Sequence, residues 1–156
     1  MNRERRVSTL LPVGSLKIRD ARREDGPALV RLVGQLGYPT TVDALARRLS
    51  RLAASAADRL VVAELEGQIV GLASVHVSLA LEYDEPAAKL SAIVVDQGYR
   101  RRGIGEALVT AMEEEASRRG CRLIFLTTAE RRGDAHAFYR RLGYAETGRR
   151  FPKSLA

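Results

Sequence analysis

The chain has 156 residues, the length of one domain that buries roughly 68–70% of the surface its unfolded chain exposes. Hydrophobic residues make up 46% and charged residues 29%, which excludes disorder over most of the length. No apolar run approaches the ~20 residues of a membrane span, and no apolar segment follows the basic start, Met1 to Arg6. A single cysteine, Cys121, excludes an internal disulfide and a multi-cysteine zinc site. We therefore expect a cytoplasmic protein without a metal or a membrane partner.

The basic residues are mostly arginines. Lysine and arginine total 26 against 19 acidic residues, for a net charge of +7, and only Lys17, Lys89 and Lys153 are lysines. Such a balance suits an anionic partner, although genomic base composition also produces an arginine excess. Three phenylalanines and no tryptophan leave few platforms for stacking bases, and no nucleic-acid reader motif is present. We expect no nucleic-acid partner.

The first half of the chain predicts one strand, two helices and a hairpin. Residues 1–15 carry turn formers without a period and predict a flexible tail before a domain over 16–156. The predicted elements are a strand at Leu16–Arg19, a helix at Asp25–Leu36 stopped by Gly37-Tyr38-Pro39, and a helix at Thr41–Ala54 capped by Thr40 or Thr41. Strands at Leu60–Leu65 and Ile69–Leu81 then join across Glu66-Gly67-Gln68.

The second half predicts a parallel crossover. An acidic loop, Glu82–Pro86, precedes a short apolar strand at Leu90–Val95 that is typical of a central strand. The remaining predicted elements are a helix at Gly103–Arg119 ended by Gly120, a buried strand at Leu123–Thr127, a helix from Asp134 to Leu142, and a last strand from Tyr144. The order β-α-α-β-β-β-α-β-α-β indicates an α/β (α+β) domain: a mixed central sheet with helices on both faces.

One segment combines features of an anion site. After Val94-Val95, the chain passes through Arg100-Arg101-Arg102 into a helix that begins with Gly103 and Gly105 and has no Ser, Thr or Asn at its expected cap. Free N–H groups and the positive end of the helix dipole favour a phosphate, which glycines allow close to the backbone. The pattern is neither of the two common nucleotide loops. Alternatively, the glycines only permit close helix packing and the arginines are solvated.

Two motifs carry a resemblance to a known family. Arg100-x-x-Gly103-x-Gly105 after a β-branched strand is similar to the acyl-CoA signature of the GCN5-related N-acetyltransferases, the GNAT family. Ala135-His136-Ala137-Phe138-Tyr139-Arg140-Arg141-Leu142-Gly143-Tyr144 resembles a second segment of that family. The order of predicted elements from about Leu16 to Arg150 also matches the family's fold.

The resemblance implies an acetyl-CoA-dependent N-acetyltransferase that acts by direct attack in a ternary complex on a primary amine of a small molecule. It implies that the pantetheine arm pairs with the backbone of Ile93, Val94 and Val95 in a gap between two strands. The pyrophosphate would lie on the amides of Arg101 to Glu106. The implied cofactor-binding residues are Ile93, Val94, Val95, Arg100, Arg101, Arg102, Gly103, Ile104, Gly105, Glu106 and Arg132.

Tyr139 is the implied catalytic residue, donating a proton to the departing thiolate, unless its ring only packs beside Phe138. Arg132 stands where many relatives have an asparagine that bonds the cofactor arm, so it either contacts a phosphate or belongs to a solvated loop. The general base stays open among Glu82, Asp84, Glu85, His76 and water. For His76 a structural role is the alternative.

Other functions remain open on the sequence. His136 falls within the second motif and is either structural or in contact with the cofactor, and Cys121 has no histidine or acidic neighbour in sequence to make it a nucleophile. A non-catalytic acyl-CoA-binding module and an acetyltransferase of protein amines are alternatives. Dimers are common in the resembled family, so a homodimer is also possible.

Overall fold

A computed structural model describes residues 15–128 and 133–155 of the chain. Five strands form one sheet in the spatial order β1-β2-β3-β4-β5. The elements are β1 (Leu16–Asp20), α1 (Gly26–Leu36), α2 (Val42–Ala53), β2 (Asp58–Leu65), β3 (Gln68–Ser78), β4 (Ala87–Val95), α3 (Ile104–Arg118), β5 (Leu123–Phe125) and α4 (Gly133–Arg141), with short 3-10 turns at Arg23–Asp25 and Gln97–Tyr99. In the described ranges, no helix is long and apolar enough to cross a membrane.

The sheet is mixed. Strands β1 to β4 pair antiparallel in sequence order, and β5 pairs parallel to β4. The β2–β3 hairpin turns at Glu66 and Gly67, whose φ angles of 50° and 81° are those of a two-residue turn that matches the twist of the strands. A bulge between Ala63 and Glu64 then shifts the β2–β3 register by one residue.

Each face of the sheet has its own apolar cluster. Helices α1 and α2 cover one face, where Leu29, Leu32 and Leu45 pack with Val62 and Leu72. Helix α3 covers the other. It lies close to the sheet: a Cβ at Gly71 of β3 would come within 3.0 Å of Leu108 Cδ1. The predicted placement of helices on both faces is confirmed.

Two expectations about the C-terminal part are wrong. No strand forms in residues 144–155, where Phe151 is 90% exposed. This segment carries Gly148, two arginines and Pro152, so it has no alternating apolar face to bury and no complete row of N–H donors. The strand at Leu123 is consequently not a buried one. It forms the sheet edge over three residues, with Leu123 37% and Phe125 42% exposed.

Smaller differences concern element ends. Strand β3 stops at Ser78 rather than Leu81, and β4 begins at Ala87, three residues before the predicted Leu90. Helix α4 begins at Gly133, so Asp134 lies within its first turn instead of capping it. The predicted N-terminal tail, apart from Ser15, lies outside the described residues.

Candidate active site

The sheet opens between β4 and β5. The two strands pair only over Ala87–Lys89 and Leu123–Phe125, and beyond this point the edge of β4 that faces β5 has no strand partner in the described ranges. The opening therefore begins beside Lys89 and runs along Leu90–Val95 towards the start of α3. A parallel sheet that separates at one end exposes backbone donors and acceptors that an extended ligand can satisfy.

Backbone alternation decides which groups of β4 face this opening. The Asp96 N–H donates to the Val70 carbonyl at 2.8 Å, which places Asp96 in a hydrogen-bonded pair of the β3–β4 ladder. Because such pairs alternate, Val94 also bonds towards β3, while the N–H and C=O groups of Ile93 and Val95 point to the opening. Of the three residues predicted to pair with a pantetheine arm, Ile93 and Val95 are thus placed for it and Val94 is not.

A bulge interrupts β4 at the inner end of the opening. Ser74 lies opposite Ala92, and Val75 lies opposite Leu90, so Ser91 has no partner on β3. Ser91 is exposed although its strand is central in the antiparallel part of the sheet, and its hydroxyl donates to the Lys89 carbonyl at 3.3 Å. A bulge in the middle of a sheet reorients backbone groups and is typical of a functional site. Sequence periodicity gave no signal for Ser91.

The start of α3 closes the other end of the opening. Gly103 is the N-cap, with φ of 79°, and no side chain accepts from the first N–H groups of the helix. These donors and the positive end of the helix dipole lie where the sequence predicts an anion site, and phosphate binding there stays a prediction. The helix itself begins at Ile104, whose side chain is buried under the sheet.

The three arginines before α3 are in different situations. The Arg100 Nε donates to the Val95 carbonyl at 3.2 Å, which holds the loop against the end of β4. Arg102 lies over the Tyr99 ring at 5.1 Å from its centroid. Arg101 has a positive φ of 61° and is exposed. All three cations border the uncapped helix end, and Glu106 in the first turn of α3 is exposed as well.

Helix α4 meets the site through an aromatic contact. A Cβ at Gly105 would come within 3.3 Å of Phe138 Cζ and 3.7 Å of Val95 Cγ2. Gly105 is therefore needed for the packing of α4 against the junction of β4 and α3. Close packing is thus one role of this glycine, and the approach of a phosphate to it stays a prediction.

Tyr139 follows Phe138 and packs edge-on against it, with ring centroids 5.1 Å apart. The Tyr144 ring also packs edge-on against Tyr139, with ring centroids 5.7 Å apart. Burial, together with the hydrogen bond that the Tyr144 hydroxyl donates to Glu113 Oε1 at 2.9 Å, raises the pKa of Tyr144 well above its usual range. Tyr144 is thus fixed as a protonated structural phenol beside Tyr139.

A comparison with known proteins identifies this architecture. A sequence model described as the acetyltransferase (GNAT) family matches residues 24–144. The chain belongs to this family. An aminoalkylphosphonate N-acetyltransferase of Salmonella typhimurium is 32% identical to it over 97% of each chain.

Solved structures agree with the family assignment. A GNAT family acetyltransferase of Staphylococcus aureus is similar with a TM-score of 0.78 and 26% identity, over 90% of this chain and 99% of that one. An aminoglycoside N-acetyltransferase solved with CoA has the same fold, with a TM-score of 0.80 and 23% identity, over 94% and 100% of the two chains. The protein is an acetyl-CoA-dependent acyltransferase of the GNAT fold.

One buried polar group lies just beyond β5. Thr128 lies three residues beyond the end of β5, and its Oγ1 is buried without a hydrogen-bond partner in the described part of the chain. An unsatisfied buried hydroxyl is costly unless something outside the protein pairs with it. Arg132, the predicted additional contact, lies outside the described residues.

The carboxylates of the acidic loop before β4 face solvent, and their role as a base stays untested. Glu82, Asp84 and Glu85 are all exposed, and the Glu85 carboxylate lies 3.8 Å from Arg122. Cys121 is half-buried, and burial raises the pKa of its thiol, which disfavours the thiolate a nucleophile needs.

His76, in contrast, has an ordered acidic partner. Its Nδ1 lies 2.9 Å from Asp58 Oδ1, and Asp58 Oδ2 also accepts from the Ser55 hydroxyl at 2.6 Å. The sequence placed His76 among several candidates but gave no indication of this pairing.

Proposed function

We propose that the protein transfers the acetyl group of acetyl-CoA to a primary amine of a small molecule, by direct attack in a ternary complex. The observation that carries the proposal is the continuous open edge from the β4 bulge at Ser91 to the uncapped start of α3. It offers an extended acyl-CoA backbone groups at one end and anion donors at the other.

Each part of the site has a role in this proposal. The N–H groups at the start of α3, with Arg101 and Arg102, hold the pyrophosphate, and the backbone of Ile93 and Val95 pairs with the pantetheine arm. A backbone N–H of β4 polarises the thioester carbonyl and stabilises the negative charge that grows on its oxygen during attack. Tyr139 donates its phenolic proton to sulfur as the carbon–sulfur bond breaks.

Cationic side chains lie near the inner end of the opening. Lys89 lies at the inner end of the opening, and a surface depression of about 380 Å³ beneath α2 is lined by Arg48, Arg51, Leu52 and Asp58. We infer that the preferred amine carries a compact anionic group, for which guanidinium and ammonium groups provide paired donors. The 32% identity with an aminoalkylphosphonate N-acetyltransferase supports a phosphonate as that group.

The test is an amine screen that detects free CoA thiol. It compares aminoalkylphosphonates with alkylamines of equal length that lack the phosphonate, with aminoglycosides, and with lysine-containing peptides. We expect turnover with aminoalkylphosphonates and at least a tenfold lower kcat/KM for the matched alkylamines. A tenfold ratio corresponds to ~1.4 kcal/mol, the scale of one charge-assisted contact. Preferred turnover of peptides would favour an acetyltransferase of protein amines, and CoA binding without turnover of any amine would favour a binding module.

A further inference from the structure

Three residues form a row across the sheet beside the acceptor. Asp58 of β2 lies opposite His76 of β3, which lies opposite Lys89 of β4. Asp58 is two and four residues from Leu60 and Val62 on β2, and His76 is four residues from Leu72 on β3. Since these leucines and the valine pack towards α1 and α2, the side chains of Asp58 and His76 lie on that face of the sheet. The row ends at Lys89, where β4 and β5 separate.

The row lies close to the reacting end of the opening. Neighbouring strands are about 4.8 Å apart, and successive residues rise about 3.3 Å. His76 is therefore one strand away from Lys89, which is two residues before the bulged Ser91. An amine bound at this end of β4 lies within reach of the His76 ring, directly or through one water.

The His76 ring is oriented for proton transfer. The pKa of Asp58 lies below its usual range: burial raises it, but the hydrogen bonds from Ser55 and His76 and the nearby positive charge outweigh that effect. An ionised carboxylate only accepts hydrogen bonds, so Nδ1 of His76 carries the proton at the 2.9 Å contact with Asp58. In a neutral ring, Nε2 is then the basic nitrogen. The side chain is 45% exposed, and Nε2 makes no hydrogen bond within the described ranges.

The alternatives on β4 itself cannot act as a base. Its exposed or half-buried polar side chains are Lys89 and Ser91, a cation and a hydroxyl that donates to a backbone carbonyl. An amine acceptor is an ammonium ion near neutral pH and must lose a proton before its nitrogen can attack. A group that can take this proton is therefore required close to Ser91.

We propose that His76 is the general base of the reaction, held in position by Asp58 and Ser55; this rests on the proposed function above. Nε2 of His76 takes a proton from the acceptor ammonium, and the electron pair of the broken N–H bond becomes the nucleophile. The nitrogen bonds to the acetyl carbon while the π electrons of the carbonyl move to its oxygen. As the carbonyl forms again, the carbon–sulfur bond breaks and Tyr139 gives its proton to sulfur. The second proton lost by the nitrogen restores the Tyr139 phenol through solvent. His76 then returns its proton to solvent.

Several charged groups surround His76 and enter its pH dependence. Asp58 is its direct partner, Lys89 faces it from β4, and Arg119 interacts with Asp58 from the end of α3. Other charged groups at this end of the sheet include Arg48 and Arg51 of α2, Arg122 before β5 and the loop carboxylates Glu82, Asp84 and Glu85. Substitution of His76 removes only the imidazole and leaves this set unchanged.

The decisive variant is His76→Gln, whose amide can still donate to Asp58. With the best amine from the screen, we expect kcat/KM near neutral pH to fall about 10²- to 10⁴-fold, the usual contribution of a general base, with unchanged acetyl-CoA affinity and melting temperature. The defect should shrink at high pH, where more of the amine is already unprotonated in solution. Imidazole added to His76→Ala should restore part of the activity.

Asp58 is tested as a positioning residue. Asp58→Asn should lower kcat and alter the acidic limb of the pH profile without changing acetyl-CoA affinity, and Asp58→Glu should recover part of the loss. Asp20→Asn is the matched control, because Asp20 is an exposed carboxylate on β1 that pairs with Arg59. A structural role for Asp58 would change the melting temperature and leave the pH profile unmoved.

The outcomes separate the two proposals. Equal pH profiles for the wild type and His76→Gln, or a defect that stays constant up to high pH, would overturn the role of His76 while the transferase activity stands. A wild type that releases no thiol with any amine in the screen would overturn the proposed function, and the role of His76 with it.

Discussion

The N-termini of α2 and α3 differ in how their first N–H groups are satisfied. In α2, the Thr41 Oγ1 accepts from the Ala44 N–H at 3.2 Å, and Asp43 lies in the first turn. In α3, the corresponding position is Gly103, which has no side chain to accept, and three arginines precede it. Since a cap contributes about 1 kcal/mol, the start of α3 lacks this stabilisation and leaves its first N–H groups without a side-chain acceptor.

The charged residues show the same contrast. At the start of α1, Arg19 donates both terminal nitrogens to Asp25 at 2.9 Å and its Nε to Glu64 at 2.7 Å. Beside α3, Arg102 lies only over an aromatic ring. The charge of Arg19 is paired with carboxylates within the fold, while Arg100, Arg101 and Arg102 are exposed. The net charge of +7 is therefore informative only through its placement.

The largest expected effect concerns the neighbouring side chains of Tyr139 and Tyr144. Tyr139→Phe keeps the ring packing and removes the proton donor, so kcat should fall within or somewhat below the ~10²–10⁴-fold range of general acids. Acetyl-CoA affinity should be unchanged. Tyr144→Phe is the matched control: it loses the bond to Glu113 and should lower the melting temperature with little change in kcat. The Tyr139→Phe defect should shrink with a more acidic thiol leaving group, and an equal defect on both donors would exclude the acid role.

Gly105→Val should abolish most CoA binding. The new side chain meets Phe138 at the 3.3 Å contact and crowds the backbone that a phosphate approaches, so we expect at least a tenfold loss of affinity by calorimetry. Overpacking should also destabilise the fold by about 1–3 kcal/mol. Gly34→Ala in α1 is the control, because nothing lies within 4 Å of its Cβ position, and it should stabilise by about 0.4–1 kcal/mol. Wild-type CoA affinity in Gly105→Val would refute the anion site.

A change at the start of α1 should alter the stability of the fold and not its affinity for CoA. Asp25→Asn removes the negative charge that pairs with Arg19. Because Arg19 is partly exposed and keeps its second partner, Glu64, we expect the free energy of unfolding to fall by about 2–3 kcal/mol. Breaking a fully buried ion pair would cost ~3–5 kcal/mol. The hydrogen bond from Arg19 lowers the pKa of Asp25 in the folded protein. The unfolded chain therefore binds the proton more readily, and this stabilisation is present above pH ~4 and lost as the pH falls below it.

Urea unfolding of both proteins across this pH range measures the effect. The wild-type and Asp25→Asn curves should converge in acid, while CoA affinity at neutral pH stays equal. A stability difference that does not depend on pH would show that the lost shape of the side chain, rather than its charge, is responsible.

Much of the fold follows from local patterns in the sequence. The α1 and α2 periodicities, the Thr41 cap and the Glu66-Gly67 turn are all encoded within a few residues, and the structure confirms them. The anion site is also local, because the arginines and glycines adjoin one helix start. The absent last strand shows where local patterns fail to predict the fold. Residues 144–155 could join the sheet only with an apolar face of their own and a free strand edge to pair with.

Contacts between distant segments could not be predicted from local sequence patterns. Counting back from the Glu66-Gly67 turn places Asp58 opposite Val75, and only the bulge between Ala63 and Glu64 brings it opposite His76. A shift of one residue exchanges the two faces of a strand, so the pairing of Asp58 with His76 depends on a feature without a sequence signature. The approach of Phe138 to Gly105 likewise requires the complete fold.

Thr41→Ala tests the capped end of α2. Loss of the Thr41 hydroxyl leaves the Ala44 N–H without its acceptor and should destabilise the fold by about 1 kcal/mol, or lower the melting temperature by about 2–4 °C for a chain of this size. CoA affinity should not change. Thr41→Ser keeps the acceptor and should retain most of the stability. If Thr41→Ala weakens CoA binding instead, the two helix ends are not independent.

The smallest expected effect is that of a single exposed arginine in the loop before α3. Arg101→Ala removes one positive charge beside the uncapped start of α3, but the N–H donors of that helix remain. An exposed ionic contact contributes about 0.2–1 kcal/mol, so CoA affinity should fall by less than about fivefold, with kcat at saturating acetyl-CoA nearly unchanged. Because salt screens such contacts, the difference from wild type should decrease between ~0.01 M and ~1 M ionic strength. Arg47→Ala, which removes an equal charge from the exposed surface of α2, should leave CoA affinity unaltered at every salt concentration. A large loss of kcat in Arg101→Ala with unchanged affinity would mean that this side chain contacts the reacting groups rather than the phosphates.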